Sequence, residues 1–122
     1  MGSPVVHFEI TGRDGPKLQK YYSDLFGWKI DAANPMNYGL VDTDSKGEGI
    51  AGGISQDDNP ANQMVTFYVQ VPDVQASLDK AVSLGGSVVS PVTVIPGMVT
   101  MAVFADPEGH TIGIVAEQTP PA

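Results

Sequence analysis

Two stretches decide the fold: FEITGRDGPKLQKYYSDLFGWKI at residues 8–30 and FYVQVPDVQASLDKAVSLGGSVV at residues 67–89. At one constant offset, Phe8 answers Phe67, Ile10 answers Val69, Asp14 answers Asp73, Leu25 answers Leu84, Gly27 answers Gly86 and Ile30 answers Val89. Each match falls at a structurally demanding place: a strand interior, a helix start, a helix end or the next strand. The chain reads as two copies of one supersecondary unit facing each other across a shared surface.

Working outward from the first copy, Val5 to Thr11 alternates as a strand, with Val6, Phe8 and Ile10 on one face and His7 and Glu9 on the other. Asp14-Gly-Pro16 supplies a capping carboxylate and a first-turn proline. Leu18, Tyr21, Tyr22, Leu25 and Phe26 then form the stripe of an amphipathic helix that stops at Gly27 and is expected to cover the Phe8 face. Trp28 to Asp31, Met36 to Asp42 and Glu48 to Ile54 read as three further strands, separated by Asn34-Pro35 and by the polar turn Asp44 to Gly47.

The second copy opens with Val65 to Val71, where Phe67, Val69 and Val71 share the core face and Thr66, Tyr68 and Gln70 the other. Pro72-Asp73 starts a helix carrying Val74, Leu78, Ala81 and Val82, and Gly85-Gly86 ends it. Ser87 to Val94, Val99 to Ala105 and Thr111 to Glu117 complete the strands. The expected fold is α+β: two tandem βαβββ modules in one domain spanning residues 1–122, forming a curled mixed sheet with a central cup and the helices outside. Module one covers about 5–54, a polar linker 55–64, and module two about 65–117. Function is expected in the cup.

Composition narrows the partners. An apolar fraction of 42% over 122 residues suits one compact core. With no cysteine, thiolate metal sites, disulfides and cysteine nucleophiles are excluded. Fourteen acidic against six basic residues give a net charge of −8, with no basic cluster to neutralise phosphates, so no nucleic acid and no anionic membrane is expected. The acidity would instead attract a cationic organic ligand. Apolar stretches are short and the N-terminus lacks a secretion pattern, so a soluble, cytoplasmic protein is expected.

The chain resembles the vicinal oxygen chelate superfamily, which includes glyoxalase I, bleomycin-resistance proteins, fosfomycin-resistance enzymes and extradiol dioxygenases. The resemblance covers residues 5–117 and rests on the repeat, on Tyr22-Ser-Asp-Leu-Phe-Gly-Trp28, on Leu84-Gly-Gly86 and on Ala105-Asp-Pro-Glu-Gly-His-Thr-Ile112. Phe26-Gly-Trp28 and Ile95-Pro-Gly97 give it the flavour of single-domain bacterial glyoxalase-like proteins. Metal-dependent members of the superfamily place one ligand on the first and last strand of each unit. Carried onto this chain, the resemblance puts those positions at His7 and Thr66, and at Gly52 or Gly53 and Gly113.

Of these only His7 coordinates strongly, so no metal ligands are assigned and no cofactor is expected. A divalent metal held by a compensating set of His7, Glu9 and His110 is the alternative. The leading expectation is a glyoxalase/bleomycin-resistance-like binder of a small organic molecule, with His7, Glu9, Thr66, Tyr68, Gln70 and Met101 lining the cup. The competing one is a superfamily enzyme, a lyase, isomerase or dioxygenase-like member, with Glu9 as base and His7 as polarising donor. Glu9 has a structural alternative, bonding to a main-chain amide or to Tyr68. His110 is expected to finish a turn fixed by Asp106. Met36, Met98, Trp28 and Tyr38 are expected to fill core or cavity. Resemblance to single-domain relatives implies a homodimer.

Overall fold

The computed structural model describes residues 2–34, 37–44, 47–96 and 99–117. Met36, Met98 and Gly97, singled out above, lie outside the described residues. The elements run β1 (Val5–Gly12), α1 (Gly15–Phe26), β2 (Lys29–Asp31), β3 (Gly39–Asp42), β4 (Ala51–Gln56), a 3-10 turn at Pro60–Asn62, β5 (Met64–Val71), α2 (Val74–Ser83), β6 (Ser87–Ile95), β7 (Val99–Ala105) and β8 (Thr111–Ala116). The βαβββ order therefore occurs twice. The chain separates into two compact units, one of Val6–Thr66 and one of Met1–Val5 with Phe67–Ala122.

In the N-terminal unit the strand order is β2-β3-β4-β1. β2 with β3 and β3 with β4 are antiparallel, whereas β4 runs parallel to β1. The return from β1 to the parallel β4 thus passes through α1, β2 and β3. Asp14 caps α1 by accepting the Lys17 amide at 3.1 Å, and Gly27, at a φ of 72° that disfavours any side chain, returns its N–H to Ser23. The helix is tied to β4 where the Gln19 carboxamide donates to the Ile54 carbonyl at 2.9 Å and Gln56 accepts the Gly15 amide at 3.0 Å.

Beneath α1 the core is Ile10, Val41 and the fully buried Ile54, with Phe8, Leu18, Tyr22, Trp28 and Ile30 packed against it. Trp28 meets the rings of Phe8, Tyr22 and Phe26 at centroid distances of 5.4, 5.7 and 5.0 Å. The expected five-residue stripe of α1 is only partly covered. Leu18 and Tyr22 point into the core, while Tyr21, Leu25 and Phe26 are 58%, 56% and 57% exposed. A helix lying on a four-stranded sheet buries a narrower arc than the full apolar stripe offers.

The C-terminal unit repeats the scheme with order β5-β8-β7-β6, where β5 and β8 are parallel and the other pairs antiparallel. Asp73 caps α2 by accepting the Ala76 amide at 3.0 Å, the same device as Asp14 in the first copy. Its core is Val71, Val74, Leu78, Ala102 and Ile114, with Val69, Val92, Phe104 and Ala116 alongside. Phe67 shares the face of Val69 and Val71 by alternation but is 39% exposed, and Val82 is 44% exposed, so neither is the core residue that the pattern suggested.

Candidate functional site

Register fixes which side chains share the face of each sheet turned away from its helix. In the N-terminal unit His7 pairs with Ala51 and Glu9 with Gly53 across the parallel β1–β4 ladder. Leu40 stands opposite Gly53, Asp42 opposite Lys29 and Leu40 opposite Asp31 in the antiparallel pairs. Alternation therefore gathers His7, Glu9, Ala51, Leu40, Asp42, Lys29 and Asp31 on the open face, opposite Ile10, Ile54 and Val41 under the helix. As the alternation required, His7 and Glu9 look away from α1.

What the alternation does not show is their partner. The Tyr38 hydroxyl lies 2.9 Å from His7 Nε2 and donates to Glu9 Oε1 at 3.2 Å, so one phenol joins the imidazole to the carboxylate. The rings of His7 and Tyr38 lie nearly parallel, at an interplanar angle of 17° and a centroid separation of 6.3 Å. A carboxylate only accepts and a phenol has one proton to give, so with Glu9 ionised the His7 Nε2 carries the hydrogen towards the Tyr38 oxygen. Burial pushes the His7 pKa below its ordinary value, which favours the neutral ring with Nδ1 as acceptor.

Tyr38 fits there because Gly53 has no side chain. A Cβ on Gly53 would overlap the phenol itself. The same relation recurs twice: Phe8 lies over Gly52, its partner across β1 and β4, and Tyr68 lies over Gly113, its partner across β5 and β8. Three glycines in strands are thus each covered by an aromatic ring that needs the missing side chain.

Beside His7 a cleft of about 430 Å³ opens, lined among others by His7, Lys29, Asp31, Leu40, Asp42 and Ala51. That volume lies within the roughly 300–1,000 Å³ common for small-ligand sites. Leu40 and Ala51 give it an apolar floor, and Lys29, Asp31 and Asp42 charge its walls. Thr11 and Ser55, register partners further along β1 and β4, join hydroxyls at 3.2 Å.

Thr66 and Tyr68 are both buried, and Gln70 is half-buried with its main-chain amide bonded to the Pro4 carbonyl at 2.9 Å. Met101 pairs with Val115, and Tyr68 and Gln70 pair with Gly113 and Val115, so Tyr68, Gln70 and Met101 share the open face of the C-terminal unit. His110 closes a turn with Asp106, whose Oδ1 accepts the main-chain amides of Glu108 at 2.9 Å and His110 at 3.0 Å. The His110 ring, largely exposed, sits 3.0 Å from the same carboxylate. The His110 main-chain bond above all, with the Glu108 amide and the His110 ring, holds the Asp106 carboxyl below its usual range. Tyr38 is the residue that sequence reasoning missed as a site residue. Its sequence signal is the pairing of an aromatic after a turn with the consecutive glycines 52 and 53.

The sequence matches the glyoxalase-like domain family over residues 7–115, and the chain belongs to that family, within the glyoxalase/bleomycin resistance/dioxygenase, or vicinal oxygen chelate, superfamily. A glyoxylase-like domain-containing protein of Didymella fabae is 28% identical over 123 residues, 90% of this chain and 94% of its own. CFP32 of Mycobacterium tuberculosis (strain CDC 1551 / Oshkosh) is 31% identical over 112 residues, 87% of this chain but 42% of CFP32, so the chain spans less than half of that relative. Among solved structures, a glyoxalase/bleomycin resistance protein/dioxygenase superfamily member from Vibrio splendidus 12B01 has a TM-score of 0.63 at 16% identity, covering 94% of this chain and 99% of the other. At that identity the likeness is one of fold. No helix among the described residues is long and apolar enough to cross a membrane.

Proposed function

We propose that the chain binds a small organic molecule on the open face of the N-terminal unit, at the His7–Tyr38–Glu9 cluster, without a catalytic metal. The observation that carries this reading is the Tyr38 hydroxyl standing between His7 and Glu9, with its ring over Gly53. It fills the place where a last-strand metal ligand would project. The donor set supports the same reading. Gly53 and Gly113 offer no side chain, the space over each is taken by a tyrosine ring, and among the described residues no three His, Cys, Asp or Glu side chains are grouped to hold an ion. The residues do not fit a divalent site of three or four nitrogen and oxygen donors.

A ligand in the cleft would lay its apolar body on Leu40 and Ala51 and turn a polar group to the cluster. Asp31 and Asp42 outnumber Lys29 along the cleft, and within a chain of net charge −8 they favour a cationic or amine-bearing molecule. A thermal-shift and calorimetric screen of chelator-treated protein against small organic cations and aromatic metabolites tests the reading. A saturable hit supports it, and turnover or binding that requires added divalent metal removes it.

The hydrogen-bonded chain of neutral imidazole, phenol and carboxylate also favours a second reading, a metal-free proton-transfer enzyme. Glu9 would act as base toward a substrate bound on the open face, with the Tyr38 hydroxyl holding the carboxylate and His7 holding the phenol in place. Glu9→Gln that keeps full turnover of an identified substrate would refute that base.

A further inference from the structure

We propose that Asn34 is a positioning residue for the cluster: its carboxamide grips the main chain of Tyr38 at both ends of that residue and so delivers the phenol over Gly53. The Asn34 Oδ1 accepts the Tyr38 amide at 3.0 Å, and its Nδ2 donates to the Tyr38 carbonyl at 2.6 Å. This is the pairing that a neighbouring strand gives a strand residue, supplied here by one side chain four positions back. Tyr38 stands immediately before β3.

Two further features converge on the same residue. The Asn37 amide bonds back to the Asn34 carbonyl at 3.0 Å, and Asn37 itself adopts a φ of 51°, the left-handed region that asparagine tolerates better than most residues. It is the one non-glycine residue in that region among those described. The chain thus pivots at Asn37 immediately before Tyr38, and Asn34 holds both sides of the pivot's outcome. Backbone strain next to a group of polar side chains is where a fold fixes a functional geometry.

Asn34 acts on the cluster through Tyr38, whose main chain it holds. Its loss is expected to free the phenol, let water reach the His7 imidazole and relieve the burial that holds that ring neutral. The other titratable groups around His7 in this unit are Glu9 and Tyr38 in the cluster, and Lys29, Asp31 and Asp42 on adjoining strands. Of these, changing Asn34 displaces only Tyr38, which is the effect the test reads. The inference draws its functional weight from the binding reading, but its test reads no ligand, so either can fail while the other stands.

The test is an NMR titration of the histidine Cε1–H resonances in the parent, Asn34→Ala, Tyr38→Ala and the double variant, with the dispersion of the amide spectrum as control for folding. Asn34→Ala is expected to move the His7 midpoint upward, towards that of a solvated imidazole and to the value of Tyr38→Ala. Adding Asn34→Ala to Tyr38→Ala is expected to move it no further. Should Asn34→Ala fail to fold, Asn34→Ser, a neutral side chain too short to reach both the Tyr38 amide and carbonyl, is read in its place. A folded Asn34 variant whose His7 midpoint equals the parent's, or a second shift on top of Tyr38→Ala, overturns the inference.

Discussion

The phenol of Tyr38 lies over the main chain of Gly53, in the volume that any side chain at that position would need. Gly53 also stands in register with Glu9 on one side and Leu40 on the other, so the ring is seated in the middle of the open face. A residue from an irregular connection has become the centre of the site because one strand position was left bare.

Gly53→Ala is therefore expected to evict the ring. The overlapping atoms belong to a side chain that can swing outward, so the protein should still fold, at a cost of about 1–3 kcal/mol. Urea denaturation measures that cost, and loss of the Tyr38 contact to His7 by NMR shows where it comes from. A variant as stable as the parent with the contact intact would contradict the seating of the ring.

Tyr38→Phe keeps the ring over Gly53 and deletes only the hydroxyl. One bond to His7 and one to Glu9 disappear, which is expected to cost about 1–2 kcal/mol for the half-buried pair. In the double variants Tyr38→Phe/His7→Asn and Tyr38→Phe/Glu9→Gln, the losses should be clearly less than additive. Additive losses would show that the three groups do not act together.

The pH dependence of stability carries the sign of a depressed histidine pKa. His7 titrates below its ordinary value of about 6.5 in the folded chain because burial disfavours its charge. As pH falls through the unfolded value, the unfolded chain takes up a proton that the folded chain refuses, so stability drops and then levels off below the folded value. Above the unfolded value His7 adds no slope. His7→Asn should flatten the stability profile in that window while leaving the higher-pH plateau's shape unchanged, as read by chemical denaturation across pH; an unchanged slope would place His7 in solvent.

Burial predicts a sharp contrast between two large aliphatic residues of the N-terminal unit. Ile54→Ala, at a fully buried position touching both the α1 side and β3, should cost about 2–5 kcal/mol. Leu25→Ser, at a position 56% exposed, should fall within about 0.5 kcal/mol of the parent. Comparable losses from the two would mean that the outer face of α1 is covered in solution.

Most of the fold was legible because its signals are local and occur twice. Asp14 and Asp73 cap their helices, Gly27 and Gly85-Gly86 end them, and the two-residue alternation of β1 and β5 assigned their faces correctly from Phe8 and Val69. The width of the covered stripe was not legible. Helical spacing groups Tyr21, Leu25 and Phe26 with Tyr22 but does not say how far round the sheet reaches. For the site, alternation placed His7 and Glu9 together, since strand periodicity fixes direction. It was silent on Tyr38, because side-chain direction in a turn depends on the φ of Asn37 and the grip of Asn34, neither of which has a period.

The most direct measurement compares ligand binding by chelator-treated parent and Tyr38→Phe, using the strongest hit from a panel of organic cations and aromatic metabolites, by isothermal titration calorimetry. Metal-free binding at the cluster predicts saturable association in the parent without added cation and a loss of about tenfold, or 1.4 kcal/mol, when the hydroxyl is removed. Association that appears only once zinc, nickel, manganese or iron is restored, or that is identical in Tyr38→Phe, would contradict it.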